Sequence, residues 1–175
     1  PLSELIRSIK DIFIAMGFSE IKGNYVQPAF WNMDVLFIPQ DHPAREMQDT
    51  LYTLSPQSIP VEDDVLVQKV RSIHKNGWKT GSKGWNYDWS REKSEQALLR
   101  THTTVETIRY LSKNPDPPVK VFSIDRVFRN EAIDSTHLPE FHQIEGIIME
   151  KDASFSMLVG IIKEFYNRMG FSDVR

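Results

Sequence analysis

The chain has 175 residues, a hydrophobic fraction of 40% and a formal net charge of -3. These values are typical of one globular domain and provide no long-range attraction for nucleic acid. The sequence contains no cysteine, which excludes disulfides and thiolate metal sites. No apolar run approaches the ~20 residues that a membrane span needs, so we expect a cytoplasmic protein without a membrane partner.

Apolar residues at helical spacing predict a first helix from Leu2, which ends near Gly17. A strand is expected next, over residues 18–27. A second helix is expected over residues 61–75. The loop after it, residues 77–89, contains three tryptophans, and this composition fits either a cover for the core or a lid over a ligand.

Thr101 or His102 is expected to cap the next helix, which a proline-rich stretch ends. A strand over residues 119–127 follows. Residues 155–169 have the apolar spacing of a last helix, and a further strand is expected to begin at Phe171.

Residues 127–146 contain two alternating apolar segments around a polar loop, the pattern of a β-hairpin. Because successive strand side chains point to opposite faces, the odd-numbered residues of each arm share a face. That face carries a guanidinium, two carboxylates, an amide and an aromatic ring, from Arg129, Glu131, Phe141, Gln143 and Glu145. These groups suit a ligand that has a phosphate, an ammonium and a planar base.

This segment resembles motif 2 of the class II aminoacyl-tRNA synthetases, through Phe128-Arg129-x-Glu131, a loop with His137, and then Phe141. Three blocks in order narrow the resemblance to the α subunits of phenylalanyl-tRNA synthetase of the archaeal and eukaryotic cytosolic type. The blocks are residues 41–50 (DHPAREMQDT), 100–104 (RTHTT) and 141–146 (FHQIEG).

The resemblance implies an α/β (α+β) fold with an antiparallel sheet flanked by helices. It extends over residues 1–175, with motif 1 at residues 2–28 and motif 2 at residues 120–149. Asn24 stands where motif 1 usually has a proline. Motif 3 is not found, and we expect it to lie beyond Arg175, together with the ligands of Mg2+, so that the catalytic domain is incomplete at its C-terminus.

The activation of an amino acid joins two anions, so a fixed arginine is the expected catalytic group. Arg129 is the candidate for the α-phosphate of ATP and the substrate carboxylate. By resemblance, Glu131, His137 and Phe141 contact the rest of ATP, with Phe141 stacked on the adenine. The amino-acid pocket implied by the resemblance consists of His102, Thr103, Thr104, Gln143, Ile144 and Glu145.

Most of these residues also have a purely structural interpretation. Arg129 can pair with Glu131 or Glu145 across the hairpin, and Phe141 can be a core residue. His137 can be an idle loop histidine. Gln143 and Glu145 can be exposed strand residues, and the threonines can be plain helix caps.

The function implied by the resemblance is the ATP-dependent attachment of L-phenylalanine to tRNA(Phe), in an α2β2 assembly with a synthetase β subunit. Two alternatives stay open. One is a related class II synthetase for O-phosphoserine, and the other is a non-catalytic module that binds an amino acid or RNA. A zinc hydrolase or a P-loop enzyme is not indicated, since neither His-Glu-x-x-His nor Gly-x-x-x-x-Gly-Lys-Ser/Thr occurs.

Overall fold

The computed structural model describes residues 1–46, 49–130 and 132–174. The helices are α1 (Leu2–Ala15), α2 (Ala29–Asn32), α3 (Asp64–Asn76), α4 (Arg91–Glu95), α5 (Thr104–Lys113) and α6 (Phe155–Arg168). The strands are β1 (Ser19–Glu20), β2 (Val26–Pro28), β3 (Ala97–Leu99), β4 (Val119–Phe128) and β5 (Glu140–Met149). Two short 3-10 helices cover Asp34–Leu36 and Pro43–Arg45. In the part of the chain that the structure describes, no helix is long and apolar enough to cross a membrane.

The main sheet has the strand order β1-β4-β5. Strands β4 and β5 are antiparallel over their full length, from the pair Val119 and Met149 to the pair Phe128 and Glu140, and β1 runs parallel to β4. Helices pack on both faces of this hairpin. The predicted fold class, a mixed domain with an antiparallel hairpin between helices, is confirmed.

The apolar face of the hairpin packs against α1, whose buried residues are Ile9 and Phe13. The rings of Phe13 and Phe122 stack with centroids 4.6 Å apart, and Phe18 meets Phe13 edge-on at 5.1 Å. Helix α6 lies over the same face and contacts α1, with the Phe165 ring 4.9 Å from the Phe13 ring. A groove of about 470 Å³ is left between α6 and the sheet.

A second cluster lies between α2, α3 and the loop before α4. Phe30, Val67, Val70 and Trp89 are buried there. The Trp89 indole Nε1 donates to the Asp34 carboxylate at 2.7 Å. Trp89 therefore covers the core, which is one of the two interpretations given above for the tryptophan loop.

Three predicted boundaries differ from the structure. The strand expected over residues 18–27 is two short strands, because the chain passes so close to α5 at Gly23 that a Cβ there would lie 1.8 Å from a Glu106 oxygen. Helix α5 begins at Thr104, and Thr103 occupies the cap position in place of Thr101 or His102. Residues 171–174 have no strand assigned, so the strand expected at Phe171 is not seen in the part described.

Candidate functional site

The polar face of the hairpin lies against the N-terminus of α5. The Glu145 carboxylate accepts hydrogen bonds from the Thr104 and Thr107 hydroxyls, both at 2.6 Å. The Gln143 side-chain oxygen accepts from the Thr103 backbone N–H at 3.1 Å. A helix N-terminus offers unpaired N–H groups and partial positive charge, so it stabilises a carboxylate at this position.

Thr107 was not among the predicted site residues, although it contacts Glu145 as closely as Thr104 does. The helical spacing of the sequence contained a signal for Thr107. Residues three apart on a helix share a face, so the presence of Thr104 at the first turn made Thr107 the next hydroxyl toward the same ligand.

His102 lies directly before this helix and is held by α2. Its Nε2 lies 2.9 Å from the Asn32 carbonyl oxygen, which can only accept, so Nε2 carries the proton and Nδ1 is an acceptor. Burial lowers the pKa of His102, which keeps the ring neutral near pH 7. Its Nδ1 is buried and has no hydrogen-bond partner among the described residues.

Asn32 is a second residue that the sequence interpretation missed. Its side chain accepts from the Thr101 N–H at 3.1 Å and donates to the Thr101 hydroxyl at 3.0 Å. Asn32 is fully buried and lies 69 residues from Thr101 along the chain, so no local pattern could have revealed the contact.

Arg129 lies just past the end of β4, and its N–H still pairs with the Pro139 carbonyl at 2.9 Å. The guanidinium donates from Nε to the Thr101 carbonyl at 3.3 Å, and its carbon is 5.2 Å from the centre of the Phe141 ring. Across residues 1–46, 49–130 and 132–174, no carboxylate is paired with it. The ion pair with Glu145, one structural interpretation, is therefore not formed.

Phe141 is half-buried at the start of β5, opposite Val127. Its observed neighbour is the Arg129 guanidinium, which lies over the ring. Such a ring can bind a cation or a flat base through its π face. Adenine stacking at Phe141 stays a prediction.

The hairpin loop places His137 next to a carboxylate. Its Nδ1 is 2.9 Å from Asp134, and backbone N–H groups of Thr136 and His137 also donate to Asp134. These hydrogen bonds lower the pKa of Asp134 to about 2. The contact of His137 with phosphate stays a prediction, and Glu131 lies outside the described residues.

The side chain of Ile144 does not lie with the other residues predicted for the amino-acid pocket. Ile144 alternates with Gln143 and Glu145 along β5, so its side chain lies on the opposite face of the sheet, where it lines the groove beside α6. The polar site therefore contains Gln143 and Glu145 without Ile144.

A buried ion cluster lies beneath the site and joins α5 to β4. The Arg100 guanidinium is fully buried, 2.7 Å from Asp125 and 3.5 Å from Glu106. Burial raises the pKa of Glu106, and Arg100 offsets only part of that effect. Asp125 is also partly buried, but its closer contact with Arg100 keeps its pKa below the usual value. The cluster fixes the start of α5 against the sheet.

The block at residues 41–50 lies beside the same end of the hairpin. Arg45 forms a buried ion pair with Asp34 at 3.3 Å, and the Asp49 carbonyl accepts from the Asn130 N–H at 3.2 Å. Met47 and Gln48 of this block lie outside the described residues. The three blocks that are separate in sequence therefore meet around the ends of β4 and α5.

A metal site formed by the protein itself would need several ligand residues close together. Among those that the structure describes, no group of three or more His, Asp or Glu side chains could hold a metal ion. The described part of the chain therefore offers no all-protein site for Mg2+.

The fold and the site define a class II aminoacyl-tRNA synthetase domain. The chain belongs to the family described as tRNA synthetases class II core domain (F), which matches residues 1–175. A solved structure, that of pyrrolysyl-tRNA synthetase from Desulfitobacterium hafniense, has the same fold, with a TM-score of 0.63 over 99% of this chain and 49% of that one, at 14% identity.

Curated relatives are much more similar in sequence. The phenylalanine--tRNA ligase alpha subunit of Archaeoglobus fulgidus is 55% identical over the whole chain, and those of Methanopyrus kandleri and Thermoplasma acidophilum are 52% and 47% identical. The chain spans 36%, 33% and 35% of the length of these relatives.

Proposed function

We propose that this chain forms part of an α subunit that activates L-phenylalanine with ATP and transfers it to tRNA(Phe). The observation that carries the proposal is the Glu145 carboxylate, held by the Thr104 and Thr107 hydroxyls at 2.6 Å and flanked by Gln143. The names of the relatives favour phenylalanine over O-phosphoserine, the alternative within the same class.

The proposed amine site combines three acceptors. A carboxylate has about four lone-pair positions, and the close threonine contacts leave room at Glu145 for an ammonium. The Gln143 oxygen can accept a second hydrogen bond. His102 adds a buried Nδ1 acceptor with no partner among the described residues, and the charges of Glu145 and Arg129 both influence its pKa.

Arg129 supplies the positive charge in this proposal. The substrate carboxylate forms a bond to the α-phosphorus of ATP while the bond from that phosphorus to the bridging oxygen breaks, and pyrophosphate leaves with the electron pair. No general base is needed, because the nucleophile is already charged. The guanidinium neutralises the charge that develops, which lowers the barrier without a proton transfer. Among the described residues, its contacts are a carbonyl and the Phe141 ring, and no carboxylate there neutralises its charge.

ATP fits the same end of the hairpin. We assign the adenine to the Phe141 ring and the outer phosphates to the side of His137, with Glu131 near the base by family resemblance. Mg2+ bound to ATP would neutralise phosphate charge. We further propose that the chain assembles with a β subunit, which is supported by the word alpha in the names of the relatives. We also propose that it acts in the cytoplasm.

The test is phenylalanine-dependent exchange of pyrophosphate into ATP, measured on the complete gene product co-expressed with its β subunit. We expect exchange with phenylalanine and background rates with O-phosphoserine. Exchange with O-phosphoserine instead would support the other synthetase. Binding of phenylalanine with no exchange for any amino acid would favour the non-catalytic module.

A further inference from the structure

A basic surface with two exposed tryptophans lies at the C-terminal end of α3. Residues 68–88 contain five exposed Lys or Arg side chains and one carboxylate, a local charge of +4 in a chain of net charge -3. The basic residues are Lys69, Arg71, Lys75, Lys79 and Lys83. The only carboxylate, Asp88, is 4.0 Å from Lys75.

The loop that carries these tryptophans folds back on the last turn of α3. Gly77 ends the helix with φ +77, and a Cβ there would lie 1.7 Å from the Ser82 carbonyl oxygen. The Trp85 N–H donates to the His74 carbonyl at 2.6 Å, and the Asn86 N–H donates to the Lys75 carbonyl at 3.1 Å. The loop is therefore an ordered platform rather than a linker.

Two rings are presented on this platform. Trp78 and Trp85 are each 49% exposed, whereas Trp89 is 6% exposed. Trp78 has φ 44, a conformation that bulky residues rarely adopt, and its N–H is held by the Asn76 side chain at 3.0 Å. Trp85 is fixed by a hydrogen bond from its indole to the Phe37 carbonyl at 3.0 Å.

Lysines lie next to these tryptophans in the chain: Lys79 follows Trp78 directly, and Lys83 precedes Trp85 by two residues. The Lys79 ammonium is 5.3 Å from the centre of the Trp78 ring. Arg71 and Lys75 share one face of α3, because residues four apart on a helix are neighbours. The acidic residues 62–64 lie at the N-terminal end of α3, about 20 Å along the helix from Gly77 and about 10 Å from Arg71. Both distances exceed the ~8 Å over which salt screens exposed charges.

We propose that this surface, Arg71, Lys75, Trp78, Lys79, Lys83 and Trp85, binds single-stranded RNA. Bases stack on the exposed rings and phosphates contact the cations, which is the general way that proteins hold single strands. The choice of RNA over another polyanion rests on the proposed function, in which tRNA is a substrate. The loop contacts α3 and Phe37, whereas the proposed amine site lies on α5 and β5.

The first test measures the charge contribution. Fluorescence anisotropy of a labelled poly(U) oligonucleotide, titrated with the 175-residue chain at several salt concentrations, gives the affinity and its salt slope. We expect Lys79→Glu with Lys83→Glu to weaken binding at least tenfold and to reduce the slope by about 1.4, since each single-strand phosphate contributes roughly 0.7. The matched control, Lys151→Glu with Lys163→Glu, makes the same charge change on exposed lysines beside and on α6. Equal losses in the two pairs would overturn the proposal.

The second test measures stacking. Trp78→Ala should weaken poly(U) binding by about tenfold and reduce the quenching of tryptophan fluorescence by RNA. Phe155→Ala removes another exposed ring, 80% exposed, and should leave the affinity unchanged. Unchanged affinity in Trp78→Ala, with circular dichroism showing a folded chain, would contradict a stacking site.

A competition experiment tests the class of ligand. Competition by polyglutamate as strong as that by poly(U) would indicate an acidic protein partner and overturn the RNA assignment.

The two proposals fail separately. Pyrophosphate exchange needs no RNA, so exchange with phenylalanine without poly(U) binding would overturn only the RNA surface. Poly(U) binding that follows the predicted pattern, without exchange, would overturn only the proposed amino-acid activation.

Discussion

The two faces of the β4–β5 hairpin are formed by alternate residues of the same strands but are stabilised in different ways. On the polar face, hydroxyls and a guanidinium contact carboxylates at 2.6 to 2.7 Å. On the apolar face, Phe13 and Phe122 stack at 4.6 Å, and a groove of about 470 Å³ remains beside α6. The hydrogen bonds and ion pairs of the polar face fix the positions of individual atoms, whereas the apolar packing fixes the position of α1 as a whole.

Because its contacts depend on paired buried charges, the polar face loses more stability than the apolar face when one side chain is removed. A buried charge is stable only together with its partners, so the loss of one group leaves the others desolvated and unpaired. On the apolar side, the loss of one side chain removes only its own contacts and creates a cavity. The polar face should therefore be the more sensitive to single changes, in stability and in chemistry.

The largest expected effect on stability is at Arg100. Arg100→Met keeps much of the side-chain volume but leaves Asp125 and Glu106 without their shared cation, so we expect a loss of about 3–5 kcal/mol in the free energy of unfolding. The control is Arg126→Met, which removes a half-exposed pair with Glu140 and should cost less than about 1 kcal/mol. Urea unfolding measures both. Similar small losses would show that the cluster beneath the site is dispensable.

The next largest effect concerns activity. Arg129→Ala in the complete enzyme should lower the rate of pyrophosphate exchange by about 100- to 1000-fold, the usual cost of one preorganised charge stabiliser. Arg129→Lys should not restore the rate, because a point charge lacks the bidentate geometry. Near-normal exchange in Arg129→Ala would remove this residue from the mechanism and leave it a structural partner of Phe141.

Variants of Glu145 test whether its carboxylate binds substrate or only holds the first turn of α5 through the Thr104 and Thr107 hydroxyls. Glu145→Gln should raise the KM for phenylalanine by about tenfold or more and leave that for ATP unchanged, because in the proposed site the lost charge faces the substrate ammonium and not ATP. Thr107→Val is the control, since it removes a hydroxyl at Glu145 and keeps the carboxylate. If both variants change the two KM values equally, the role of Glu145 is structural.

Much of this arrangement could be predicted from the sequence. The helix spacing located α1, α3 and α6 within a few residues, and strand alternation placed Gln143 and Glu145 on one face. These are local patterns, with a period set by backbone geometry. The resemblance added the order of the blocks, which the fold then brings together at one end of the hairpin.

Other features had no local signal. Trp85 and Trp89 stand in the same loop, yet one is half exposed and the other is buried, because Trp89 reaches the distant Asp34 carboxylate. Asn32 contacts Thr101 across 69 residues. Burial and long-range hydrogen bonds depend on tertiary packing, so composition alone left the loop with two interpretations.

Ile144 gives the smallest expected effect and the sharpest separation of the two faces. Because its side chain lies on the apolar face and is 41% exposed, Ile144→Ala should leave the KM for phenylalanine unchanged and cost less than about 1.5 kcal/mol, below the usual range for a buried site. Its cross-strand partner Ile124, only 6% exposed on the same face, is the matched control, and Ile124→Ala should cost about 2–4 kcal/mol. Urea unfolding and exchange kinetics on both variants make the comparison. A raised KM for phenylalanine in Ile144→Ala alone would mean that the amino-acid pocket extends through the sheet to the groove beside α6, and the division of the hairpin into two independent faces would then be wrong.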